Sequence, residues 1–278
     1  MKRQEFLNLT KEVKQEIVYK YDVLKFRQIK LMKEYSLSET QLKKLLKENN
    51  IHIRCISEVN TKSRYTLDVN FFKKQSGDLA YFLGLFGADG NVHKKDNMFC
   101  IELQRQDREI LEKIRRKINL SREVKDYCTG RGFENSKIYF YSKELKEYFK
   151  NNYDLMPNKT YDENFKYPHV LEDKYFLDYV RGYFDGYGSI KKTDCSLTFQ
   201  IDANRSIARA IKDKFKELYN IDLQISSNQK KNFQLYRAYC YGDKAKDVFQ
   251  LLYTTQSAKD GMYMKRKYNR FLELTKDN

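Results

Sequence analysis

Apolar positions along this 278-residue chain change their spacing near residue 70. Before that point the spacing is helical. "LTKEVKQEIVYKY" opens on Thr10, which can cap a helix, and the stretch from Val23 to Ile51 carries two helical patterns around a short break. Leu24, Phe26, Ile29 and Leu31 give the first apolar stripe, "EYSLSE" interrupts it, Ser38 can cap, and Leu42, Leu45 and Leu46 give the second. Residues 1–60 are expected to be a small helical region, followed by a polar linker over 61–75. Two similar blocks then follow, with Gly90 and Gly188 lying 98 positions apart. Around each glycine the pattern predicts an apolar helix, two strands, a charged helix, two more strands and a helix. "MFCIELQ", "DREILEKIRRKI", "KIYFYS" and "KELKEYFKNN" in the first block are answered by "SLTFQID", "RSIARAIKDKFKELY", "NFQLYRAYC" and "DKAKDVFQLLY" in the second. The halves are placed at 76–165 and 166–278, and both prolines, Pro157 and Pro168, fall near their joint.

Charge adds a partner to this outline. Lys and Arg number 54 against 38 Asp and Glu, a net charge of +16, which points to a polyanion, nucleic acid before an acidic membrane. The second N-terminal helix, with Gln41, Lys43, Lys44 and Lys47 on its open side, suits a helix-turn-helix DNA reader. An ordinary helical hairpin has the same pattern, since the turn lacks a glycine. No apolar run reaches the roughly 18 residues needed to span a bilayer, and "MKRQEFLNLT" does not resemble a signal peptide. An intracellular protein without a membrane partner is expected. The five cysteines are dispersed and read as small core fillers, and the three histidines have no metal-ligand spacing.

The two apolar helices carry the most informative spacing. Gly84 and Ala88 are four apart, as are Gly182 and Gly186, so each helix offers a strip of small residues on one face. Such strips allow two backbones to approach closely. Asp89 stands in the last turn of the first helix, where the macrodipole disfavours a carboxylate and a cation is wanted. If the helices pack side by side, carboxylates at their ends could hold divalent metal ions against a phosphodiester.

The stretches "FLGLFGADG" (82–90) and "VRGYFDGYG" (180–188) resemble the signature of the LAGLIDADG homing endonucleases in single-chain form. The likeness covers about 71–278, and "MPNKTY" and "MKRKYNRF" resemble the closing segments of such halves. It implies an α+β fold of two pseudo-twofold αββαββα halves that form a saddle for double-stranded DNA, acting as a monomer with Mg²⁺ or another divalent cation. An accessory DNA-binding domain is common in the family, and residues 10–54 would suit it. The family's metal-binding catalytic acid maps onto Asp89 in the first half and onto Tyr187 in the second. Lys159 and Lys267 map onto basic groups near the scissile phosphates.

A phenol, with a pKa of ~10, is a poor Mg²⁺ ligand at neutral pH. Asp185, the other acid of the second copy, is two positions earlier and so about 200° around the helix. Three readings of Tyr187 stay open: a disabled site on a DNA-gripping scaffold, a nickase relying on Asp89, or recruitment of Asp185 through a distorted helix end. The corresponding functions are a homing-type endonuclease, whole or impaired, and an inactive DNA-binding regulator or intron RNA maturase. A helix-turn-helix repressor with a ligand-binding C-terminal part leaves the paired glycine helices unexplained.

Overall fold

Ser38 Oγ accepts the Gln41 amide at 3.2 Å while the Gln41 side chain accepts the Ser38 amide at 2.8 Å, a reciprocal cap that starts a helix sharply. This belongs to the first of two units, Met1–Arg64 and Tyr65–Asn278. The computed structural model describes residues 6, 9–24, 26–54, 65–155, 165–193, 196–229 and 234–276. Among its described residues the first unit has the helices α1 (Lys11–Asp22, capped by Thr10), α2 (Gln28–Glu34) and α3 (Glu39–Glu48). Ile17, Tyr21, Leu31, Leu42, Leu45 and Leu46 form its core. Of the expected first stripe, Leu24 and Ile29 are instead exposed. Leu24 precedes α2, and Ile29 and Leu31, two positions apart, point to nearly opposite sides of it. Ser36, at φ 54°, supplies the left-handed residue of the α2–α3 turn, which is how a turn without glycine closes.

The second unit begins at Tyr65, inside the stretch expected as a linker over 61–75. Residues 65–75 pack onto it, and Val69–Phe72 forms a 3₁₀ turn. Phe72 is fully buried, with its ring 5.2–5.6 Å from those of Phe82, Phe140 and Phe149. An aromatic pair at the end of a polar run is drawn into the core, and the run follows it.

Two halves of the same order follow. The first comprises α4 (Gly77–Asp89), β1 (Gly90–Val92), β2 (Met98–Gln104), α5 (Arg108–Lys117), β3 (Lys125–Cys128), β4 (Glu134–Tyr141) and α6 (Lys143–Tyr153). The second comprises α7 (Phe176–Tyr187), β5 (Gly188–Thr193), β6 (Ser196–Ala203), α8 (Arg205–Tyr219), β7 (Gln224–Gln229), β8 (Gln234–Tyr241) and α9 (Asp243–Leu252), then α10 (Gln256–Lys259) and α11 (Lys265–Thr275). The fold is α+β, with two antiparallel sheets ordered β1-β2-β4-β3 and β5-β6-β8-β7. Their registers match: Gly90 lies opposite Ile101, and Gly188 opposite Ile201. In each half the inward face of the sheet covers the apolar helix, with Phe86 against Phe99 and Phe184 against Phe199. α4 is buried from Leu79 to Ala88, as a helix apolar on every side must be. Among the described residues no helix is long and apolar enough to cross a membrane.

Candidate nucleic-acid interface

α4 and α7 lie against each other at the centre of the second unit. A Cβ built on Gly84 would sit 2.0 Å from the carbonyl oxygen of Tyr179, and one on Gly182 would sit 2.1 Å from that of Tyr81. The two backbones therefore touch, which only residues without a side chain allow. Farther along, a Cβ on Gly186 would lie 2.3 Å from the Ala88 Cβ and 2.9 Å from Asp89 Oδ2. The C-terminal ends of both helices, with Asp89, Asp185 and Tyr187, are thus brought side by side.

The ends differ in what surrounds them. Asp89, Asp185 and Gly186 line an open cleft of about 830 Å³ together with Gln104, Asp107 and Arg266. Asp107 and Arg266 face each other in a two-pronged ion pair, 3.2 and 2.9 Å, tying the first half to α11. Asp185 is 2% exposed. Its Oδ2 accepts the Tyr81 hydroxyl at 2.6 Å and the Met264 amide at 2.8 Å, while Oδ1 is buried without a hydrogen bond. Burial pushes this carboxyl up to about 6, against the opposing pull of Lys267 and the Tyr81 hydrogen bond. Lys267, 7% exposed, donates to Phe184 O and, at 2.7 Å, to Gly188 O, so its ammonium caps the carbonyl end of α7. Burial brings its pKa down to about 8, and the charges of Asp185 and Asp89 resist that change.

At the other end Tyr187 is 39% exposed and borders a pocket of about 10 Å³ with Gly87, Phe165, Tyr183, Asn204 and Leu235. That is about the room one water needs. The two spaces are pseudo-equivalent: Gly87 takes the place of Asp185 and Tyr187 that of Asp89, each pair 98 positions apart. The aromatic rings close the second space. Phe165 Cζ and the Tyr183 ring lie 3.2 and 3.4 Å from where a Gly87 Cβ would be. α7 is regular to Tyr187, with the Gly188 amide bonded to Phe184 O, so Asp185 reaches the first cleft without a distorted helix end. Lys159 lies outside the described residues.

Hard divalent cations are often held by one or two carboxylates, with further oxygens from phosphate and water. Among the described residues no three His, Cys, Asp or Glu side chains form a metal cluster. The first cleft offers Asp89 and the unpartnered Asp185 Oδ1, which fit a cation that takes its other ligands from a phosphate. The closed pocket offers no carboxylate.

Asp185 carries a testable pH signature. Its folded pKa lies above the ordinary value of 3.8, so between about pH 4 and 6 the folded state holds more protons than the unfolded one, and stability falls as pH rises. Asp185→Asn lacks this term. Its stability relative to the parent should rise by roughly 2–3 kcal/mol from pH 4 to 7, read by urea titration without divalent cations. A difference that stays constant over this range would contradict the assignment.

Comparison with known proteins bears on this arrangement. Residues 76–150 match the model of the LAGLIDADG-like domain. The first half is a LAGLIDADG-like domain. An uncharacterized protein of Methanocaldococcus jannaschii, MJ0314, is 29% identical over 153 residues, 54% of this chain and 54% of that protein. The chain thus spans about half the length of the curated relative it matches. Among solved structures, the homing endonuclease I-DmoI in complex with DNA and Ca is 13% identical, covering 65% of this chain and 91% of that one at a TM-score of 0.45. The N-terminal LAGLIDADG domain of WhiA is 15% identical, covering 67% of this chain and 88% of that one at 0.43.

The LAGLIDADG-like domain and the half that follows it each turn one sheet face outward. On the first sheet the cross-strand pairs Met98–Tyr141, Cys100–Tyr139, Glu102–Lys137 and Gln104–Asn135 share that face. On the second the corresponding pairs are Thr198–Tyr241, Gln200–Tyr239 and Asp202–Arg237, the last bonded through both carboxylate oxygens at 2.7 and 3.0 Å. Amides, basic groups and tyrosines at a two-residue spacing suit base edges and phosphates in a groove. None of these pairs is among the binding residues expected from sequence, although the alternation within "NSKIYFY" and "QLYRAYCY" is an available signal. Nor do the cysteines all lie in the core as expected. Cys240 is buried, but Cys128 is exposed and Cys100 stands on the outward face, the opposite side of the pleat from Phe99 and Ile101.

In the first unit the expected reader residues divide. Gln41 closes the α3 cap rather than standing ready for a base, because its side chain accepts the Ser38 amide. Lys43 and Lys44 pair along the helix with Glu39 and Glu48, at 2.5 and 3.7 Å, and Lys47 is exposed. Such exposed pairs contribute only about 0.3–0.5 kcal/mol, so a phosphate can replace the glutamates as partner.

Proposed function

We propose that this protein binds a specific double-stranded DNA sequence on its two outward sheet faces and, with a divalent cation, nicks one strand at the Asp89 end. The contrast between the two helix ends carries this reading: an open cleft with two carboxylates on one side, a closed aromatic pocket on the other. Asp89 and Asp185 Oδ1 are the groups that would hold Mg²⁺, whose chemistry is to lower the pKa of a bound water and stabilise a leaving oxygen. Asp89 projects from the last turn of α4 into a cleft wide enough for a phosphodiester. Lys267, pinned to the carbonyls of Phe184 and Gly188, keeps a positive charge beside both carboxylates and holds the α7 end in place. The net charge of +16 draws the duplex to this surface.

A second reading, a binding-only regulator or an intron RNA partner on the same scaffold, is favoured by Tyr81 and Met264, which already occupy Asp185 Oδ2. Supercoiled plasmids carrying source-genome fragments, incubated with the full chain in Mg²⁺ and mapped by end sequencing, separate the two. Open circles with a nick on one strand of one sequence are expected, and none with EDTA. Linear products cut on both strands would overturn the one-sided assignment; retention of the duplex without any break would select the regulator.

A further inference from the structure

Arg122 lies between α5 and β3, beside the outward face of the first sheet. Its guanidinium carbon is 4.2 Å from the ring centre of Tyr139, 4.4 Å from that of Tyr65 and 5.7 Å from that of Tyr141. The Tyr65 ring is itself fixed, since its hydroxyl donates to Tyr141 O at 3.1 Å and accepts the Tyr141 amide at 2.5 Å. Among the described residues Arg122 makes no hydrogen bond or ion pair, and Nη1 is buried without a partner.

An arginine kept for the fold looks different here. Arg181, fully buried, donates to Met262 O, Leu252 O, Thr255 Oγ1 and Asp178 Oδ1, all at 2.7–2.9 Å. The second sheet carries the same tyrosine pair, Tyr239 and Tyr241, 5.3 Å apart, with no cation over either ring among the described residues. The sheet architecture therefore does not require an arginine at this place. Contact with three rings confines the guanidinium but satisfies none of its five donors, and a guanidinium matches paired acceptors. Lys125 and Lys137 on the same face add positive charge, with Lys137 Nζ over the Tyr127 ring at 4.6 Å.

We propose that Arg122 is a pre-oriented fork that takes two acceptor atoms of bound duplex DNA, either O6 and N7 of a guanine edge or two oxygens of one phosphate. The inference rests on the reading that the sheet faces bind DNA. Confining the fork among the rings removes part of the ordering cost of binding.

The test compares the full chain with Arg122→Lys, which keeps the charge and loses the fork, and with Arg122→Ala. Each is titrated against duplexes that the parent selects from a random pool, at several salt concentrations, with thermal melts alongside. Arg122→Lys should bind roughly 10- to 100-fold more weakly while melting close to the parent. Loss confined to duplexes with one particular G·C pair identifies the guanine edge. Equal loss on every sequence, with a log–log salt slope shallower by about one in Arg122→Ala and unchanged in Arg122→Lys, identifies a phosphate. Unchanged affinity and selection in Arg122→Lys would overturn the proposal and leave the stack as a brace, whatever becomes of Arg122→Ala. A parent that selects no duplex would overturn the DNA reading and this inference together.

Discussion

Gly84→Ala and Gly182→Ala should each lose about 3–5 kcal/mol of stability, enough to unfold a marginal protein. The new methyl would stand 2.0 or 2.1 Å from a backbone carbonyl oxygen of the facing helix. Backbone cannot swing aside as a side chain can, so α4 and α7 would have to separate by more than 1 Å along a contact from which both halves are built. Alanine otherwise favours a helix over glycine by about 0.5–1 kcal/mol, so the two effects have opposite signs. Urea denaturation decides between them. Gly130→Ala is the control, since a Cβ there meets nothing within 4 Å and should shift stability by less than about 0.5 kcal/mol. A stabilised Gly84→Ala would show that the helices are not in backbone contact.

The same residues show how far the sequence could be read. The four-residue spacing of Gly84 with Ala88 and of Gly182 with Gly186 is visible because close approach leaves no alternative residue types, and the strand–helix order follows from periodicity. Pseudo-symmetry is equally legible as a 98-residue offset. What periodicity cannot give is the environment of a side chain that is set by distant chain segments. Tyr81, Met264 and Lys267 reach Asp185 from 79 to 104 positions away, and nothing local in "YFDGYG" announces them. Phe165, which helps close the second pocket, is an unremarkable aromatic in a polar stretch. Local chemistry gives a second role where only one was read: Gln41 reads as an exposed polar residue on a basic helix, and three positions after Ser38 it is also the partner that a capping box uses.

Exposure follows the same division. Helix faces are predictable when apolar positions recur at three and four, as in Leu42, Leu45 and Leu46. A stripe counted over 24–31 fails because Leu24 and Phe26 lie before the helix begins. The sheet faces were legible in principle, since every second residue of β4 and β8 points outward, but their importance depends on two sheets presenting matching rows, Lys137–Tyr139–Tyr141 and Arg237–Tyr239–Tyr241. That correspondence becomes visible only when the registers are aligned.

Asp89→Asn is expected to slow nicking on the order of 10³-fold, about 4 kcal/mol of barrier, while duplex binding without divalent cations is unchanged or tighter. The amide keeps the carboxylate's shape in the cleft but carries no charge to hold a cation, and removing a negative group cannot weaken the grip on phosphates. Single-turnover nicking and equilibrium binding, measured on one labelled duplex, separate the two effects. Nicking that survives the substitution would remove Asp89 from the chemistry. Tyr187→Asp supplies the complementary test at the other helix end. It restores one carboxylate, but Gly87 provides none where the first cleft has Asp185, and Phe165 and Tyr183 still occupy that space. The product should therefore remain a single nick at the same strand. Paired breaks from Tyr187→Asp alone would mean that the Tyr187 ring by itself closes the second half-site, and that one carboxylate at each helix end is enough to cut.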